Sequence, residues 1–244
     1  IHECYFTQPQ FMPAAVTGRG ASYAFLQEAI AIAHENADKL RAKIESKCHH
    51  LSISFETLEE DHVDAMARRS TLSDIAIVSQ THPALKTNHV SLHLPDRLTL
   101  VASCPTLVLP FETAVPYAGK HLMLAWKPKR EASRALRDNL GMMRDADQVS
   151  IAMLYRKQNH AAVVEESKRV QRFLSNHGIE ADVHVTPAHK TKGNGSPLIE
   201  LAKEIGADGM IMGAYSHSRL REQILGGMTH YMLHHADIPL IMSH

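Results

Sequence analysis

The chain has 244 residues, of which 44 % are hydrophobic, and its 26 basic residues are balanced by 26 acidic ones. This length allows one large domain or two of ordinary size. The balanced charge excludes a global field that would recruit nucleic acid or an anionic membrane. No apolar run approaches the roughly 20 residues that a membrane span needs. We therefore expect neither nucleic acid nor a membrane as a partner.

The chain has three cysteines, Cys4, Cys48 and Cys104, which is an odd number, and they have no regular spacing. They predict reduced thiols rather than a disulfide framework, and therefore a cytoplasmic location. No signal peptide is visible, and the chain begins at Ile1 rather than at a methionine, so we expect that its start is missing.

The first part of the chain alternates strand-like and helix-like segments, which indicates an α/β fold with a mostly parallel sheet. In order, we predict the end of a strand at IHECYF, a helix near 22–47, a strand at HLSISFE, a short helix near 58–69, a strand at DIAIVS, a helix near 93–103 and a strand at PTLVLP. This part lacks an obvious first strand and helix. We infer that about forty residues of the domain precede the sequence.

The second part shows a complete alternation after a junction near Ala118 and Gly119. The predicted strands are HLMLAW, QVSIAMLY, ADVHVTP, DGMIMG and IPLIMSH, and the predicted helices are REASRALRDNLGMM, AAVVEESKRVQRFLSNHG, SPLIELAKEIG and a last one near 228–236. Gly178 and Gly206 are interpreted as left-handed caps at helix ends. Ser196 is interpreted as an N-cap, with proline following it at the first helical position.

An internal repeat relates the two parts. SDIAIVSQ, which starts at Ser73, matches ADGMIMGA, which starts at Ala207, at an offset of 134 residues. The same offset sets CPTLVLP on IPLIMSH. One offset that matches two strands and the length of the connection between them predicts two related domains, 1–117 and 120–244.

Glycines mark a candidate binding site in the second domain. Gly213 ends a central strand, where ligands bind in open α/β sheets, and Gly226 and Gly227 lie where the last helix begins. A helix start offers unpaired N–H groups, and glycine removes side chains that would keep an anion away from them. The alternative is that these turns only require a positive φ, and the spacing alone does not decide between the two.

This segment resembles the G-x2-G-x9-G-[ST] signature of the universal stress protein family. The signature positions are occupied by Gly213, Ser216, Gly226 and Gly227. The resemblance covers 120–244 well and 1–117 more loosely. It implies two tandem doubly wound domains, each with a five-stranded, mostly parallel sheet flanked by helices, the first domain lacking its first strand and helix.

The resemblance also implies that the second domain binds an adenine nucleotide, ATP or AMP. The implied phosphate and ribose contacts are Gly213, Ser216, Gly226, Gly227 and Met228, with Met212 beside the nucleoside and Thr229 as a further candidate; the adenine would lie near Trp126, Lys127 and Leu154.

Three residues depart from the family pattern. Ser216 replaces a glycine, Gly227 replaces a serine or threonine, and Lys127 stands where nucleotide-binding members commonly have an aspartate. A lysine cannot accept the hydrogen bonds that an aspartate accepts. In the first domain Ser79 and His82 occupy the first two signature positions, so we predict that this domain binds no nucleotide.

Two other functions stay open from the sequence. One is a non-nucleotide interaction module whose domains pair through their last strands, with a homodimer also possible. The other is a metal-binding or small-ligand variant that uses the 18 histidines. His230 and His234 could share a helix face, but no third ligand is near in sequence, so no metal ligands are assigned. No catalytic motif is present, and the predicted activity is at most slow ATP hydrolysis.

Overall fold

The computed structural model describes residues 2–7, 23–58, 60–80, 94–111, 119–188, 195–215 and 227–244. The chain divides into two compact units, Ile1–Ala65 and Met66–His244. Helix α2 spans His62–Arg69. Its start is capped by Asp61, whose Oδ1 accepts a hydrogen bond of 2.9 Å from the amide of Val63.

The first unit contains two parallel strands and a long helix. Strand β1 (His2–Thr7) pairs with β2 (Ile53–Leu58), and the 25-residue helix α1 (Tyr23–Lys47) lies between them in sequence. Parallel neighbours need a crossover connection, and α1 supplies it. The predicted helix near 22–47 and the two predicted strands are confirmed.

The second unit is built on a seven-stranded sheet in the order β3-β4-β9-β8-β5-β6-β7. Adjacent strands of this sheet are parallel to each other, except that β4 and β9 are antiparallel. The strands are β3 (Ala76–Ser79), β4 (Thr106–Leu109), β5 (His121–Ala125), β6 (Gln148–Tyr155), β7 (Asp182–Pro187), β8 (Gly209–Gly213) and β9 (Leu240–Ser243). The predicted α/β fold with a mostly parallel sheet is therefore confirmed.

Helices cover both faces of this sheet. They are α3 (Leu94–Val101), α4 (Arg130–Asp138), α5 (Leu140–Asp145), α6 (His160–Ser175), α7 (Ser196–Glu204) and α8 (Gly227–His235). One buried cluster joins residues of α3, α7 and α8 to the sheet, and we call this side the α8 face. A second cluster joins residues of α4, α5 and α6 to the sheet, and we call this side the α6 face.

Two local predictions in this unit were wrong. The helix predicted over REASRALRDNLGMM is interrupted at Asn139, whose φ is −111° and ψ is 15°, so that α4 and α5 are separate helices. The buried Asn139 side chain donates a hydrogen bond of 2.8 Å to the carbonyl of Ala135. Ser196 is the first residue of α7 rather than its cap, because Gly195 takes the cap position.

The repeat predicted from the sequence is reproduced in the strand register. Ala76 lies opposite Thr106 in the β3–β4 pair, and Met210 lies opposite Leu240 in the β8–β9 pair, with both members shifted by 134 residues. The flanking backbone bonds repeat as well, since the amides of Ala76 and Met210 each donate at 2.9 Å to the carbonyl of a proline. Helix α3 corresponds at the same offset to 228–235, within α8.

The repeat consists of two β-α-β segments, β3-α3-β4 and β8-α8-β9. These two copies meet around a pseudo-twofold axis. In the antiparallel β4–β9 pair, Leu107 lies opposite Ile241, which is its own counterpart at the 134-residue offset. This pairing explains why 66–109 belongs to the same compact unit as the C-terminal part. The domain limits 1–117 and 120–244 stay a prediction.

Asp208 holds the start of β5 next to the start of β8. The carboxylate of Asp208 is buried and accepts hydrogen bonds of 3.0 Å from the amides of Lys120 and His121. We expect Asp208→Ala to lower the free energy of unfolding by about 1–3 kcal/mol, because two amides lose their acceptor. Urea unfolding followed by circular dichroism measures this, with the exposed Asp147→Ala as the control. Equal losses in the two variants would contradict this role.

Candidate functional site

The carboxyl ends of five parallel strands lie along one edge of the sheet. They end at Ala125, Tyr155, Pro187, Gly213 and Ser243. Ligands of open α/β sheets bind outside this edge. The edge therefore contains the candidate site that the sequence predicts around Gly213.

Gly213 is required by the close approach of α4. A Cβ atom on Gly213 would lie 2.6 Å from the carbonyl carbon of Glu131 and 2.9 Å from the Cα of Ala132. The positive-φ glycines of the described residues are Gly119, Gly178 and Gly206. Of the two interpretations left open by the sequence, a positive φ is therefore not the reason for glycine at 213, whereas Gly178 and Gly206 confirm the predicted left-handed caps.

The end of β8 is tied to the first turn of α8. The amide of Tyr215 donates a hydrogen bond of 3.0 Å to Oγ1 of Thr229, which is buried. Tyr215 has a φ of 54°, a left-handed conformation that costs a non-glycine residue about 1–2 kcal/mol. Such strain persists where surrounding contacts fix the backbone, and it is frequent at functional sites. The predicted site residues Ser216 and Gly226 lie outside the described residues.

The start of α8 is open around Gly227. Gly227 is exposed, and a Cβ atom there would meet no heavy atom within 4 Å in the described part of the chain. The first N–H groups of an α-helix have no intrahelical acceptor and carry the positive end of the helix dipole. Among the residues that the structure describes, this end of α8 therefore combines helix-start amides with room for an anion.

The apolar candidates divide between the two faces of the sheet. Met212 is buried on the α8 face, and Leu154 and Met228 pack against the same cluster. Trp126 packs on the α6 face instead, and its indole Nε1 donates a hydrogen bond of 3.2 Å to Oε1 of Glu166. Lys127 is exposed in the β5–α4 connection. The structure thus brings Met212, Leu154 and Met228 to one side and places Trp126 on the other.

Sequence reasoning missed a basic hollow at the carboxyl ends of β6 and β7. The hollow has a volume of about 860 Å³ and is lined by Tyr155, Arg156, Lys157, Gln158, His160, Pro187 and Ala188. The ring of His160 contacts that of Tyr155 edge-on at 4.4 Å. The volume falls within the range of ligand pockets, and the hollow begins one residue after Leu154. The available signal was the Arg-Lys pair that directly follows a buried strand.

Within the described residues, no helix is long and apolar enough to cross a membrane.

The strand order β9-β8-β5-β6-β7 defines an open, doubly wound α/β domain in the C-terminal half of the chain. Residues 138–244 match the model of the universal stress protein family, so this part of the chain is a universal stress protein domain. No curated protein matches the sequence.

Solved structures resemble the chain in fold. A universal stress protein from Archaeoglobus fulgidus DSM 4304 has a TM-score of 0.69 at 14 % identity, over 99 % of this chain and 87 % of that one. The functionally unknown protein PA1789 from Pseudomonas aeruginosa PAO1 has a TM-score of 0.59 at 14 % identity, over 100 % and 92 % of the two chains. A universal stress protein in complex with cAMP has a TM-score of 0.41 at 16 % identity, over 51 % and 96 %. The first two likenesses establish the fold and nothing further.

Proposed function

We propose that the chain is a tandem universal stress protein of the cytoplasm whose C-terminal half binds an adenine nucleotide, ATP or AMP. The observation that carries this proposal is the junction of β8 and α8. The hydrogen bond from Tyr215 to Thr229 fixes the end of a central strand beside an open helix start. A helix start in this position offers aligned N–H groups to a phosphate without any net positive charge.

Five of the described candidates have direct roles in this proposal, whereas Gly213 allows the close approach of α4. The amides at Gly227, Met228 and Thr229 would hold phosphate oxygens, since they lie in the first turn of α8. Met212 and Leu154 would contact the nucleoside from the α8 face of the sheet edge. The hollow after Leu154 has room for the ribose or base, and its Arg156 and Lys157 supply positive charge that would favour the phosphates of a nucleotide. Ser216 and Gly226 belong to the proposed site as predictions from the sequence.

Two candidates would take part differently. Trp126 is held against Glu166 on the α6 face, so contact with a base bound beside Met212 would require its indole to turn away from that carboxylate. Lys127 is exposed and can approach a phosphate only from solvent. The proposal assigns no catalytic residue.

The first predicted domain has a pairing role in this account. Strand β9 is bonded on both sides, by β4 and by β8, so its edge is not open to a second copy of the chain. In the proposed tandem arrangement, the β4–β9 pair would supply within one chain the pairing through last strands that the sequence suggested. A homodimer would have to use another surface.

A charge change at Gly227 tests the nucleotide site without disturbing the fold. Because no atom of the described residues lies within 4 Å of a Cβ at this position, we expect Gly227→Asp and the isosteric control Gly227→Asn both to fold normally. The aspartate would lie within a few ångströms of bound phosphate, where repulsion amounts to about 1–4 kcal/mol, so we expect at least about tenfold weaker binding for Gly227→Asp than for Gly227→Asn.

Isothermal titration of the full chain with ATP and with AMP measures the difference. Equal affinities of the two variants would place any bound nucleotide away from α8. Absence of binding to the unmodified, folded chain at millimolar nucleotide would select the non-nucleotide interaction module instead.

A further inference from the structure

Three potential metal ligands meet where α3 and α8 face each other. Asp96 lies in the first turn of α3, and His230 and His234 lie one turn apart on α8. One possible ligand atom from each of the three residues lies within 4.8 Å of the other two. Nδ1 of His230 is 3.5 Å from Oδ1 of Asp96. The three side chains thus converge on one point between two helices that are distant in sequence.

The ring of His234 is already oriented for coordination. Its Nδ1 lies 2.8 Å from the carbonyl oxygen of His230, and a carbonyl can only accept, so Nδ1 carries the proton. Nε2 of His234 is then the nitrogen with a lone pair. Histidines that bind metals commonly donate their other ring N–H to a backbone carbonyl in this way.

The ring of His230 brings a second nitrogen, Nδ1, to the point where the three side chains converge. Its Nδ1 is a buried atom with no hydrogen-bond partner among the described residues. A buried polar nitrogen without a partner costs free energy, since it has lost its contact with water. Coordination of a cation would remove this cost.

Asp96 supplies a buried negative charge. Its side chain is 3 % exposed, and its Oδ1 accepts a hydrogen bond of 3.2 Å from the hydroxyl of Tyr215. Burial and the adjacent carboxylate both raise the pKa of Tyr215, which keeps this hydroxyl a donor. A carboxylate in such surroundings is stabilised by a positive charge placed beside it.

We propose that Asp96, His230 and His234 bind a divalent transition-metal ion, Zn²⁺ by preference. Two imidazole nitrogens and one carboxylate oxygen suit zinc, with the fourth tetrahedral position left for water. Ligand atoms of tetrahedral zinc are about 3.4 Å apart, close to the separation between His230 and Asp96. The ion would link α3 to α8 across the pseudo-twofold axis.

The position of the site on the axis is a consequence of the repeat. Asp96 is the counterpart of His230 at the 134-residue offset, so the pseudo-twofold axis brings this acid and this histidine face to face. The bound ion would therefore stabilise the contact between the two halves of the chain. This inference does not depend on nucleotide binding.

Cobalt titration of the untagged, metal-free full chain tests the proposal. Tetrahedral Co²⁺ gives strong visible absorption, so we expect one absorbing Co²⁺ per chain and its displacement by one Zn²⁺. Asp96→Asn, His230→Gln and His234→Gln should each weaken binding by at least about tenfold. The control is His235→Gln, since Nδ1 of His235 makes the same 2.8 Å contact with the carbonyl four residues earlier but its ring is exposed.

Thermal unfolding with and without Zn²⁺ separates a binding defect from a folding defect. Zinc should raise the midpoint of the unmodified chain and of His235→Gln, and leave that of His234→Gln unchanged. Absence of tetrahedral cobalt absorption from the unmodified chain would overturn the proposal. The same conclusion would follow if His235→Gln lost as much affinity as His234→Gln.

Discussion

Replacing Gly213 with valine should abolish the cooperative unfolding transition of the Met66–His244 unit, or lower its free energy of unfolding beyond the range of about 1–3 kcal/mol typical of overpacked cores. The reason is that the new side chain would meet backbone rather than mobile side-chain ends. The carbonyl carbon of Glu131 and the Cα of Ala132 both lie within 3 Å of the Cβ position, and α4 cannot move without leaving β8. Circular dichroism during thermal and urea unfolding measures the effect.

The matched control for this variant is a substitution at Gly227, the other glycine at a signature position that the structure describes. Gly227→Ala introduces a Cβ that meets nothing within 4 Å in the described part of the chain, so we expect a change of at most about 0.5 kcal/mol. If Gly213→Val and Gly227→Ala were equally stable, the close approach of α4 to the end of β8 would be wrong.

The second large effect is expected at the centre of the pseudo-twofold axis. Ile241 is fully buried and Leu107 is nearly so, and the two lie opposite each other in the antiparallel β4–β9 pair. Truncating either residue to alanine should cost about 2–5 kcal/mol, because each removes buried methyl groups from one packed core. The exposed Ile77 on β3 is the control, and Ile77→Ala should change stability by at most about 0.5 kcal/mol.

The double variant Leu107→Ala/Ile241→Ala tests whether these two residues are energetically coupled across the β4–β9 pair. Residues in contact show coupling energies of about 0.5–3 kcal/mol, whereas independent sites add within about 0.3–0.5 kcal/mol. We expect the non-additive result, measured by urea unfolding of both single variants and the double variant. Strict additivity would mean that Leu107 and Ile241 do not interact energetically across the β4–β9 pair.

The fold was largely predictable because the strands of the second unit are short, apolar and separated by helical segments. The 134-residue offset could be read from two strands, and it holds down to individual paired residues such as Leu107 and Ile241. The break at Asn139 was not predictable from apolar periodicity, because the pattern of buried positions continues from α4 into α5. A polar residue that bonds back to the preceding turn ended the helix.

The candidate site was predictable in position but not in detail. The reason for glycine at 213 is a contact with α4, which is remote in sequence and becomes apparent only when the sheet is assembled. The position of Trp126 could have been anticipated, since alternation along β5 places it on the same face as Leu122 and Leu124. The partnership of Asp96 with His230 was missed because histidine spacing was considered within one helix, although the repeat already related the two positions.

Equilibrium dialysis of the full chain against labelled ATP measures how many nucleotides bind and whether they bind at the start of α8. We expect saturation at one nucleotide per chain, displacement by unlabelled AMP, and loss of the bound label in Gly227→Asp but not in Gly227→Asn. Two nucleotides per chain, or retention of the label by a folded Gly227→Asp variant, would contradict a single site at the start of α8.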